Sequence, residues 1–134
     1  MKKNTTKILV ISRSVALQQG LSALLESLPG IIVVTAIKEP SSIPSWIETH
    51  HPRIVMLDTA FSGDDLPATL EMIKALSAQT QRILLVDQVS DVRWVPLYAE
   101  AILIKGAPPS AVAAIVSNLL LSKGEENEHN VSNQ

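Results

Sequence analysis

The chain has no cysteine, so disulfides, thiol catalysis and cysteine-ligated metals are excluded. Aromatic residues make up only 3% of it, too few for a base-stacking platform. Its Lys and Arg residues number 11 in 134 and are dispersed, and the net charge is −2, so there is no basic stripe to track a nucleic-acid backbone. No apolar run approaches the roughly 20 residues of a spanning helix. The positive start, Met1 to Lys7, leads into only a four-residue apolar stretch that Arg13 soon follows, so a secretory signal is not expected. These absences point to one soluble, cytoplasmic domain with neither direct DNA binding nor membrane insertion.

Apolar residues still make up 46% of the chain, enough for one core. They gather in short runs at Ile8 to Ile11, Ile31 to Ile37, Ile54 to Leu57, Ile83 to Val86 and Ala101 to Ile104. Each run is nearly continuous rather than alternating, the pattern of a strand covered on both faces. Helical periods lie between them. Leu17, Leu21, Leu24 and Leu25 form one stripe over Val15 to Leu28, closed by Pro29-Gly30. Ser41 or Ser42 caps a short helix through Trp46 to about His51, with Pro44 in its first turn. Leu70, Ile73 and Leu76 predict a third helix over Pro67 to Ala78, entered through the turn-rich stretch 62–65, and Val112, Ile115, Val116 and Leu119 a last one over Pro108 to Leu121. From Asp87 to Glu100 no period is clean and Pro96 interrupts, so a short or broken helix is expected there. Residues 1–123 make one domain; residues 124–134, polar and acidic, are expected to be a disordered tail or the start of a linker.

Alternating strands and helices predict a doubly wound, five-stranded parallel α/β sheet with helices on both faces. Ligands of such sheets collect at the carboxyl ends of the strands. Ser12, Arg13 and Ser14 follow the first strand, Asp58 the third, Asp87 the fourth and Lys105 the fifth, and they are expected to converge. A Ser12-Arg13-Ser14 turn cradling an anion at a helix start is one reading, weakened by the lack of a glycine-rich loop. His50 and His51 stand at a helix end, where histidines cap carbonyls more often than they bind metal.

The stretches "ILVISRSVALQQGLSALLE", "HPRIVMLD", "RILLVD" and "AILIKGAPPSAVAAI" resemble the receiver domain of two-component response regulators. The resemblance covers residues 7 to 122, and the wording is nearest to receivers that precede a helix-turn-helix effector of a transcription regulator. It implies the flavodoxin-like, CheY-like fold. It also implies that Asp58 stands where the family's phosphoacceptor aspartate is and Lys105 where its phosphoryl-pairing lysine is. The family's pair of Mg²⁺-holding acids falls on Ser12 and Arg13, and its hydroxyl residue on Asp87. The rotating switch aromatic falls on Ile102, and a loop proline on Ser62.

Those departures change the chemistry. Two carboxylates, Asp58 and Asp87, now face two cations, Arg13 and Lys105, so the pocket is neutral without a metal. A guanidinium at about 4 Å would oppose a cation by roughly 4 kcal/mol per unit charge at an effective dielectric near 20. Mg²⁺ binding is therefore expected to be lost or weak, with Arg13 supplying the charge of the ion. No other cofactor and no enzymatic activity is expected.

The resemblance with its substitutions implies an atypical pseudo-receiver: a phosphorylation-independent signalling and interaction module in transcriptional regulation. A functioning aspartyl phosphoacceptor with a metal-poor site is the alternative. The expected partners are a protein or effector domain and a second copy, paired through the last helix, the fifth in the family's order, whose apolar residues exceed one stripe. Trp94 and Tyr98 lie in the segment receivers use for partners.

Overall fold

A computed structural model describes residues 6–36, 39–62, 66–88 and 99–132. The first strand, β1 (Thr6–Ile11), leads into α1 (Val15–Glu26), then β2 (Ile31–Ala36). A 3₁₀ turn at Pro40–Ser42 opens α2 (Ile43–His50), and β3 (Ile54–Asp58) runs into the single-turn α3 (Thr59–Ser62) and then α4 (Leu66–Leu76). β4 (Gln81–Val86), β5 (Ala101–Ile104) and α5 (Pro109–Ser132) complete the chain.

All five strands pair in parallel in the order β2-β1-β3-β4-β5. The sheet is the doubly wound one that the apolar runs predict. β1, β3 and β4 bury alternate residues on opposite faces, the period-two consequence of the pleat. Ile8, Val10, Ile54, Met56, Ile83 and Leu85 pack with Leu21 and Leu25 of α1 and Val112 and Val116 of α5. Leu9, Ile11, Val55, Leu57, Leu84 and Val86 pack on the other face with Ile43 and Ile47 of α2 and Leu70 and Ile73 of α4. Two-sided burial is why the runs lack alternation.

Because the chain crosses β1 on its way from β2 to β3, the strand order reverses between β1 and β3. This is the switch point where helices leave in opposite directions and open a crevice beyond the strand ends. Ser12 and Asp58 stand on its two sides.

Several boundaries differ from the sequence expectation. α1 stops at Glu26, where the N–H of Ser27 turns back to the carbonyl of Leu24, and Gly30 takes a φ of 76° in the turn to β2. Ser42 is the N-cap of α2, yet its side chain makes no capping bond, because the preceding 3₁₀ turn already holds it in helical geometry. α3 leaves no trace in the periodicity, since one turn is too short to show one. α5 runs on to Ser132, beyond the Leu121 at which the apolar stripe ends. Polarity there speaks against burial, whereas helix formation costs only about 1 kcal/mol for Gly124, with Glu and Lys around it as good helix formers. Residues 89–98, which include Trp94, Pro96 and Tyr98, the end of the second run at Ile37, and most of the turn before α4 lie outside the described residues.

Candidate functional site

Three short segments build the site. After β1, Ser12 is fully buried while its neighbour Arg13 is exposed. Ser14 then caps α1: its side chain accepts from the N–H of Leu17 at 3.2 Å. The Ser14 N–H in turn donates to Ser12 Oγ at 3.0 Å, and the Gln18 side-chain amide donates to the Ser12 carbonyl. The Ser12 hydroxyl is thus oriented from behind, and its proton goes to Asp58 Oδ2 at 2.7 Å.

Asp58 ends β3 and is 4% exposed. Its Oδ1 accepts from the backbone N–H of Ala60 at 3.0 Å, the local Asx-type turn that a strand-end aspartate makes with the residue two further on. The same oxygen pairs with Lys105 Nζ at 2.5 Å. Burial by itself pushes the Asp58 carboxyl upward. The hydrogen bonds from Lys105, Ala60 and Ser12, together with the Lys105 charge, outweigh it and hold the group below its ordinary value.

Lys105 reaches Asp58 from the turn after β5. Its backbone N–H donates to the Val86 carbonyl at 2.8 Å, Gly106 follows at φ 85°, and the Ala107 N–H closes on the Ile104 carbonyl at 3.0 Å. Only glycine adopts that φ without strain. Asp87 Oδ1 lies 3.7 Å from the same Nζ, but its side chain is 74% exposed, so it adds a screened attraction only.

The strand-end residues therefore converge unequally. Ser12, Asp58 and Lys105 form one bonded group, and Asp87 sits at its rim. The cation paired with Asp58 Oδ1 is Lys105, and Arg13, next to Ser12 in the chain, is exposed. Ile102 is partly buried on the core face beneath α2 and α4. His51 caps α2 through its backbone, at φ 48° with its N–H on the Ile47 carbonyl, and His50 stacks on Trp46 with ring centroids 4.8 Å apart. Among the described residues no three His, Asp or Glu side chains gather as metal ligands.

A second polar cluster, which sequence reasoning missed, lies at the opposite, amino-terminal end of β4. Arg82 is buried and grips Glu100 twice, Nε to Oε1 at 3.2 Å and a terminal nitrogen to Oε2 at 2.9 Å. Its backbone N–H also donates to Oε1 at 2.6 Å, and its other terminal nitrogen donates to the Leu70 carbonyl at 3.1 Å. The only hint in the sequence is an arginine inside an apolar strand.

No family model matches the chain, and no curated protein matches it. Solved structures do. A response regulator receiver domain (CheY-like) from Methylobacillus flagellatus superposes with a TM-score of 0.75 at 14% identity, covering 86% of this chain and 98% of that one. A LuxR family DNA-binding response regulator from Silicibacter pomeroyi gives 0.73 at 20% identity over 87% and 93%. A putative pilus assembly-related protein from Burkholderia pseudomallei gives 0.72 at 16% identity over 89% and 92%. The fold is thus the flavodoxin-like fold of CheY-like response regulator receiver domains. Among the described residues no helix is long and apolar enough to cross a membrane.

Proposed function

We propose that the chain is an atypical response-regulator receiver, a cytoplasmic protein-interaction module in transcriptional regulation that works without phosphorylation. The observation that carries this reading is the state of Asp58: both carboxylate oxygens are engaged inside the protein, Oδ2 by Ser12 and Oδ1 by Lys105 and Ala60. The donor set does not fit Mg²⁺, which takes near-octahedral oxygen ligation with one or two carboxylates. Here a hydroxyl that donates and an exposed arginine stand where the resemblance would put two acids. Phosphoryl transfer relies on positioning and on neutralisation of the transferred oxygens. A pocket that neutralises its own aspartate leaves little for an incoming phosphoryl group.

The solved neighbours include LuxR-type DNA-binding regulators, which favours an effector domain or a protein as partner. A second copy is a further partner, through α5. Residues 109–121 carry no charged side chain, and Leu121 is 61% exposed. Sedimentation at high concentration checks this, and a monomer throughout would refute it. The alternative, a live phosphoacceptor, draws on the retained Asp58–Lys105 pair. Incubation with acetyl phosphate and Mg²⁺, followed by intact-mass measurement, decides between the two. An unchanged mass is expected, and a phosphoryl adduct removed by Asp58→Asn would overturn the phosphorylation-independent reading.

A further inference from the structure

We infer that Ser12, Asp58 and Lys105 form a closed clasp that stands in for a bound cation and fixes how α1 and α5 seat on the sheet. The clasp deepens the reading of the same pocket and rests on it only in that Asp58 carries no phosphoryl group. Its three members come from three separate parts of the chain, and each is tied to a helix start or to the sheet. Ser12 is held by the N–H of Ser14, the residue that caps α1. Asp58 belongs to β3, in the centre of the sheet. Lys105 opens the turn that leads to α5 and reaches Asp58 past β4, the strand between.

α1 and α5 pack on the same face of the sheet, against one shared core cluster. A chain of contacts therefore runs from the α1 cap through Ser12, Asp58 and Lys105 to the turn before α5, without leaving the protein. Each link is polar and half-buried or fully buried, where a hydrogen bond to a charged group is stronger than in water and an unmet one is costly. The charge closes as well: Asp58 and Asp87 face Lys105, and Arg13 lies at the mouth. A pocket of crowded carboxylates would repel itself and gain stability when one is neutralised. In this pocket the carboxylate is the hub, and neutralising it removes the charge that holds Lys105 and weakens the hydrogen bonds from Ser12 and Ala60.

The test is a double-mutant cycle on the full chain with Asp58→Asn and Lys105→Met, read by urea unfolding and by amide hydrogen exchange. Asp58→Asn should lower the folded-to-unfolded ratio by about tenfold or more. Together the two changes should cost clearly less than the product of their separate effects. Exchange should quicken at the start of α1 and in the turn before α5, with α2 and α4 unaffected. Mg²⁺ should leave the wild-type unfolding midpoint where it is. The clasp is refuted by Asp58→Asn as stable as the wild type, by independent effects in the cycle, or by a saturable Mg²⁺ stabilisation. Should Asp58→Asn fail to fold, the milder pair Ser12→Ala and Lys105→Met carries the same cycle between the clasp's two arms. A phosphoryl adduct with acetyl phosphate would remove the phosphorylation-independent reading and leave the clasp standing wherever the coupling persists.

Discussion

Replacing Glu100 by Ala strips Arg82 of its partner at the end of the sheet farthest from Asp58. Arg82 loses two side-chain bonds, at 3.2 and 2.9 Å, and its backbone N–H loses the acceptor at 2.6 Å. Lys74 loses an ion pair at 3.4 Å. What remains to the guanidinium from the cluster is the Leu70 carbonyl at 3.1 Å. Breaking a fully buried pair costs about 3–5 kcal/mol, because a charge is left without compensation. The Arg82 side chain is 9% exposed and that of Glu100 26%, so water enters on the Glu100 side and the expected loss is about 2–3 kcal/mol. For a chain of this size that lowers Tm by roughly 6–12 °C, measurable by calorimetry or circular dichroism. Glu100→Gln, which keeps an acceptor for the Arg82 N–H, should lose about 1 kcal/mol less than the alanine. A loss below about 0.5 kcal/mol for Glu100→Ala would mean that the pair behaves as an exposed one, and the reasoning would fail.

Acid should act through the same contacts. Burial pushes Glu100 and Asp58 upward, but the bonds and charge of Arg82 and Lys105 outweigh it and hold both carboxyls below their ordinary values. Their contribution is therefore complete above the unfolded-state value and fades as pH falls through the folded one. Urea midpoints measured downward from neutral pH should drop there for the wild type and less for Glu100→Ala; parallel curves would refute the assignment. Thr80→Val removes a buried hydroxyl that meets the Pro52 carbonyl at 2.7 Å, and should cost about 1–2 kcal/mol in urea unfolding. Gly106→Ala meets open space but keeps a φ of 85°, so a loss of about 1 kcal/mol from backbone strain is expected, and an unchanged midpoint would contradict it.

The five strands were legible because each is an apolar run bounded by polar or turn residues, and for β1, β3 and β4 burial on both faces leaves no other way to write it. α1, α2, α4 and the first turns of α5 were legible from the leucine and isoleucine spacing that buries Leu21, Leu25, Ile43, Ile47, Leu70, Ile73, Val112 and Val116. The single turn of α3 has no period to read. The reach of α5 past Leu121 has no apolar stripe to read, because a polar composition reports on burial rather than on helicity. At the site, the membership of Ser12, Asp58 and Lys105 was legible from strand ends. The Ala60 N–H was not, since a backbone donor carries no residue signature.

By itself the sequence determined the architecture and the positions that meet at the carboxyl edge, because strand and helix patterning are local and the parallel order follows from their alternation. Only the tertiary structure decided what those positions do to one another. Ser12 turns inward to Asp58 while its neighbour Arg13 is exposed. Lys105, far away along the chain, is the charge that meets Asp58. Arg82 and Glu100 likewise became a pair only when β4 and β5 lay side by side. Contacts of this kind depend on side-chain direction and on neighbours across the sheet, and neither is written in local spacing.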